Sequence, residues 1–170
     1  ELPTALNHYG VLLHMQSDLS LASETLNEGA ALAMAQGDRR AEAYLRWSMG
    51  DLERDRASFD DAIGHYNNAL RLAGEDEPLV RCGVLIGLSM LLRWRGDPLD
   101  ALSHLDEAAA LADAHHLVLE GLQVTIARCA LAPLAMPTAE AIAVLSQALD
   151  RLRAMHATTE AAGGTAVMAL

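Results

Sequence analysis

Few aromatic residues, few cysteines, no long apolar run and no excess of positive charge mark this chain of 170 residues, and each shortage removes a class of protein. With 4% aromatic against 52% hydrophobic residues, the interior must be filled by Ala and Leu, which suits closely packed helices. Two cysteines, Cys82 and Cys129, lie far apart on apolar helical stretches. That is too few for a disulfide framework or a metal cluster, and they are read as buried, reduced thiols. No run approaches the roughly 20 apolar residues that span a bilayer, and no signal peptide opens the chain. A soluble, cytoplasmic protein without membrane contact is expected. The formal charge of -11 argues against direct nucleic-acid binding, which needs a basic footprint to displace counterions.

What is present is amphipathic periodicity. Between Arg81 and Asp113, Leu85, Leu88, Leu91 and Leu92 are followed by the turn Arg95-Gly96-Asp97-Pro98 and then by Ala101, Leu105, Ala108 and Leu111. These spacings describe two helices, not strands. Pro98 suits a first helical turn, and Asp97 is placed to cap it. Extended along the chain, the same reading predicts helices at 3–16, 19–35, 39–56, 59–73, 78–95, 98–114, 116–132 and 138–155. Turns are expected at Gly37-Asp38, from Gly74 to Pro78, at Gly96 to Pro98 and from Ala135 to Pro137.

The pattern repeats. Ala22, Ala62, Ala101 and Ala141 are separated by 40, 39 and 40 residues. Seven residues after each stands another small one, Gly29, Ala69, Ala108 and Ala148, and four after each stands Leu26, Tyr66, Leu105 or Leu145. One helix pair cannot bury its own apolar face, so stacked neighbours are required.

With Gly10, Gly50 and Ser89 at the helix crossings, this arrangement resembles the tetratricopeptide (TPR) repeat over roughly residues 2–154. The match is nearest from Ala41 to Ala73, with Phe59, Ala62, Tyr66 and Ala69 in the family's places. Arg46 and Thr125 depart from it at an apolar position, Arg151 replaces the final leucine, and Pro133 interrupts the fourth unit's first helix. The resemblance implies an all-α, right-handed solenoid of antiparallel helix pairs: four units, at about 3–37, 39–76, 78–115 and 116–155, and a partial fifth at 158–170. All belong to one domain. The long unit is similar to the helical arrays of bacterial LuxR-type and antibiotic-regulatory transcription activators. Because the chain opens at Glu1 without a methionine and stops mid-unit, it is expected to be a fragment of a larger protein.

No catalytic or metal motif emerges. His8 and His14 stand on different helix faces, and His115 and His116 point apart. His-Glu-x-x-His, Cys-x-x-Cys and calcium-loop patterns are missing, and the glycines lack a phosphate-cradle context. No cofactor, metal or enzymatic activity is expected. Glu75 to Glu77 and Asp60-Asp61 suit helix starts.

Recognition through a groove is what the resemblance implies. Its groove positions fall on Asn7, His8, Val11 and Met15 in the first unit. In the second they fall on Tyr44, Trp47, Ser48, Asp51, Arg54 and Asp55, and in the third on Ile86, Met90, Arg93 and Trp94. Trp47 and Trp94, beside Arg54 and Arg93, have the composition of a binding hot spot, although either indole could instead pack against the adjacent unit. Asn7, Val11, Ser48, Gly83 and Gly87 do not make the family's carboxylate clamp, which disfavours chaperone tails. Expected partners are a protein or peptide segment, or another domain of the same polypeptide. A small-molecule or peptide sensor built around Trp47, Met90 and Trp94, and a self-associating scaffold or homodimer, are the alternatives.

Overall fold

A computed structural model describes residues 1–131 and 136–167, with side chains through residue 155. Among the described residues all regular structure is helical: α1 Leu2–Met15, α2 Leu19–Gln36, α3 Arg39–Asp55, α4 Phe59–Ala73, α5 Pro78–Arg95, α6 Pro98–Ala114, α7 Val118–Cys129 and α8 Thr138–Val167. No helix is long and apolar enough to cross a membrane among these residues.

Each helix packs on the next in sequence, and α1, α3, α5 and α7 also touch in series. The apolar interior divides accordingly. One cluster joins α1, α2 and α3, a second joins α3, α4 and α5, and a third joins α5, α6 and α7. The positions picked out by their spacing occupy the middle of these clusters: Ala22, Leu26, Ala62, Tyr66, Ala69, Ala101, Leu105 and Ala108 are fully buried.

Close approach of the helices explains the small residues. A methyl group placed on Gly10 would lie 2.6 Å from the Leu26 side chain, and one on Gly50 would lie 2.5 Å from the Tyr66 ring. Leu26 and Tyr66 therefore fill space that any other residue opposite would occupy. In the third unit the hydroxyl of Ser89 is drawn back onto its own helix, donating to the Ile86 carbonyl at 2.7 Å.

The turns are compact. Asp18 and Asp38 cap α2 and α3, accepting from the Leu21 and Ala41 amides at 3.3 and 2.9 Å, and Gly37, Gly74 and Gly96 adopt positive φ. Asp97 departs from expectation, since its side chain makes no cap hydrogen bond to α6. Ser17, Ala57 and His116 also take left-handed backbone, at φ of 65, 62 and 56°. For His116 this displaces the helix start from 116 to Val118, and α7 ends at Cys129 instead of 132. Pro133 and Ala135, expected in the α7–α8 connection, lie outside the described residues. A second correction concerns the expected stop at 155 and a fresh helix at 158. Here α8 continues as one helix to Val167, because His156-Ala157-Thr158 contains no glycine, proline or capping acid to break it.

The notch at Gly50 makes a paired prediction. Gly50→Ala is expected to destabilise the fold by about 1–2 kcal/mol through overpacking against Tyr66. Gly64→Ala, on an exposed part of α4 with nothing within 4 Å, is expected to stabilise it by about 1 kcal/mol through helix propensity alone. Urea denaturation of both variants checks the pair, and equal effects would remove the notch argument.

Candidate functional site

The faces of α3, α5 and α7 that look away from their paired helices enclose a cavity of about 350 Å³. Helical spacing builds each wall. Trp47, Asp51 and Arg54 come from α3, while Gly83, Ile86, Gly87, Met90 and Arg93 come from α5, and Gln123, Ile126, Ala127 and Ala130 from α7. Five of the residues expected from the sequence thus meet in one place: Trp47, Asp51, Arg54, Met90 and Arg93. Asn7, His8 and Tyr44 line a different hollow, of about 500 Å³, with Thr4, Asp38 and Arg40. There the Arg40 guanidinium lies 5.9 Å from the centre of the Tyr44 ring and pairs with Glu77 at 2.9 Å. Trp94 lines neither space. It is 47% exposed and tilts against Phe59 with ring centres 6.2 Å apart, so it packs on the adjacent unit.

Trp47 packs across units and also borders the cavity. Its six-membered ring lies directly over Gly83, where a methyl group would clash with it, and it tilts against Tyr44 with centres 6.2 Å apart. The indole Nε1 is buried and has no hydrogen-bond partner.

The floor beside Trp47 is polar and organised. The Tyr66 hydroxyl donates to Asp51 Oδ1 at 2.7 Å, and Arg54 Nη1 donates to the same oxygen at 2.7 Å. Arg54 Nε reaches Asp55 Oδ1 at 2.9 Å, while His14 of α1 approaches Asp55 Oδ2 at 3.1 Å. Gly87 closes over the Tyr66 hydroxyl, since a methyl there would lie 2.6 Å from the oxygen. Four helices are tied together at this point. Burial pushes the Asp51 carboxyl above its ordinary range, against the opposing pull of Arg54 and the Tyr66 hydroxyl. Burial also works against the Arg54 cation, but Asp51 leads the groups that outweigh it, and the guanidinium is held protonated more firmly than usual. The Tyr66 phenol is pushed far up, by burial first and by Asp51 second.

Register explains which cavity residues the sequence reading missed. Ile126, Ala127 and Ala130 of α7 stand 40 residues after Ile86, Gly87 and Met90. Carrying the third unit's groove positions forward by the repeat would have found them. The departures of the fourth unit hid that step.

The two cysteines remain apart. Cys82 and Cys129 are both free, the first fully buried with its thiol pushed up to about 11 by burial and by Glu120. Their sulfurs face the Ala108 and Ala141 carbonyls.

The chain matches no protein-family model, no curated protein and no solved structure. Its own geometry carries the functional argument.

Two consequences of the polar floor can be measured. Arg54→Leu leaves the Asp51 carboxylate buried without its cation and is expected to cost about 3 kcal/mol at pH 7. The loss should be smaller near pH 4, where the carboxyl can take up a proton; a pH-independent loss would contradict the pairing. For Tyr66, the unfolded chain ionises near pH 10 while the folded chain holds its proton. The unfolded state then binds fewer protons, so stability falls above about pH 10 by roughly 1.4 kcal/mol per unit. Tyr66→Phe should lack this term, and the gap between wild type and variant should narrow from pH 9 to 11 in denaturant titrations.

Proposed function

We propose that the chain is a non-catalytic recognition module of tetratricopeptide type, a right-handed solenoid of antiparallel helix pairs whose groove binds a protein segment or another domain of its own polypeptide. The observation that carries this reading is the cavity formed by equivalent faces of three helices that are not consecutive in sequence. A small rigid pocket with apolar walls and a few fixed polar groups is the ordinary form of a binding site. A bacterial transcription regulator is the setting we favour, supported by units of 39 and 40 residues. Occupancy of such a preformed surface would bias a switch elsewhere, through its different affinity for two states.

Comparing equivalent positions points to the chemistry of the bound segment. Arg93 stands 39 residues after Arg54, on the same face of the next unit's first helix. Arg54 is neutralised by Asp51 and Asp55, but the equivalents of those two acids beside Arg93 are Met90 and Trp94. Arg93 therefore borders the cavity without the carboxylates that occupy its counterpart. Ile86, Met90 and Ile126 supply the apolar wall beside it. The segment that fits offers an apolar side chain next to an acidic one, and charge-assisted pairing with Arg93 orients it.

A small-molecule reading is favoured by one observation, the enclosed volume of about 350 Å³ beside Trp47. Its sensing residues would be Trp47 and Met90, without Trp94. Saturable quenching of Trp47 fluorescence in a Trp94→Phe background would support it.

Display of a random twelve-residue peptide library against the chain tests the main reading. Enriched peptides should pair Asp or Glu with Leu, Ile or Phe, and Arg93→Gln should weaken them at least about tenfold, the loss of a charge-assisted hydrogen bond. Failure to enrich any family of peptides, or binding that Arg93→Gln and Met90→Glu leave unchanged, would remove the groove as the site.

A further inference from the structure

The first and last described helices expose faces that the interior helices keep covered. On α1, Tyr9 is 50% and Leu12 is 55% exposed, and Ala5 on the same side is also exposed. Positions 5, 9 and 12 recur at helical spacing and form one stripe. Forty residues later, in α3, the same positions are Leu45, Met49 and Leu52, and these are 0, 6 and 1% exposed. In α5 they include Val84 and Leu91, both fully buried, and in α7 Val124 and Leu131, at 3 and 5%.

The preceding helix supplies the cover in each case. α2 packs on α3, α4 on α5 and α6 on α7, and a methyl on Gly29 of α2 would lie 2.7 Å from Leu45. On α1 the equivalent stripe carries no such cover among the described residues.

α8 presents the complementary half. Ile63 and Leu70 of α4 pack into the cluster that α5 shares, and Leu102 and Ala109 of α6 pack into the one that α7 shares. Their equivalents on α8, 40 residues after the α6 pair, are Ile142 and Leu149, which are 65 and 38% exposed. One end of the molecule thus shows the face that receives a helix like α4 or α6, and the other shows the face that such a helix inserts.

We propose that these two faces are the halves of a single interface, in which α8 of one copy docks on α1 of the next and continues the interior packing from chain to chain. The occupant is a second copy because each bare face is complementary to the other in the register already used three times inside the molecule. A contact of this kind joins unlike surfaces, so it does not close on itself as a twofold dimer does and propagates head to tail. The net charge of -11 per chain opposes association, and added salt screens that repulsion while leaving the apolar contact intact.

Sedimentation velocity or light scattering on the full chain, from micromolar to millimolar concentration, tests the proposal. The weight-average mass should rise above 18.1 kDa with concentration, and rise further in 0.5 M than in 0.1 M salt, a range over which the Debye length falls severalfold from roughly 10 Å. Leu12→Glu and Leu149→Glu, both at exposed positions, should each keep the wild-type circular dichroism and thermal midpoint yet remain monomeric alone. Mixed in equal amounts they should form a dimer that grows no further, since only one intact pair of faces remains. A wild-type mass that stays at the monomer value throughout overturns the proposal. So does a Leu149→Glu variant that still dimerises, which would mean that α1 pairs with α1. Neither result bears on peptide binding in the groove, which is read separately.

Discussion

The structure depends on places where one helix has no side chain and its neighbour has a large one. Leu26 fits against Gly10, Tyr66 against Gly50 and Gly87, Leu45 against Gly29, and Trp47 against Gly83. Each notch lets two backbones approach until the bulky residue is sealed, and a sealed leucine contributes roughly 1.5–3 kcal/mol through burial. The same contacts fix direction. Because Tyr66 is clasped by glycines from both α3 and α5, its hydroxyl can only meet Asp51 and Arg54, so apolar packing positions the polar floor of the cavity.

That floor distinguishes two arginines that stand at equivalent places. Arg54 is a structural cation, tied into a network that reaches from His14 on α1 to Tyr66 on α4. Arg93 has a methionine and a tryptophan where Arg54 has its two acids. Repetition with one altered charge environment is an economical way for a chain to turn a scaffold position into a binding position, because the backbone geometry is already supplied.

Much of this could be read before any coordinates. The spacing of Ala22, Ala62 and Ala101, with Leu26, Tyr66 and Leu105, located the buried centre, since burial and helical period leave a direct mark on residue type. Gly37 and Asp38, Gly74, and Gly96 and Pro98 marked turns for similarly local reasons. Ser17 and Ala57 did not, because tertiary packing holds them in left-handed backbone that their side chains do not advertise. Asp97 looked like a cap, but local sequence does not determine whether its side chain turns toward the helix. Trp47 and Trp94 looked alike as aromatic residues beside an arginine. Only the neighbouring helices decide that Trp47 borders the cavity while Trp94 lies against Phe59. The α7 wall was hidden because Arg128 and Thr125 weaken the apolar pattern of the fourth unit.

The account turns on the contact between Trp47 and Gly83, where notch packing and the cavity wall are the same feature. A double-mutant cycle of Gly83→Ala with Trp47→Leu, followed by chemical denaturation, measures it. If the indole is seated in the glycine notch, Gly83→Ala should be more damaging with Trp47 present than with leucine there, giving a coupling of about 1 kcal/mol or more. Additive effects of the two substitutions would contradict the account, because the indole and the glycine would then not be sharing the space that shapes the groove.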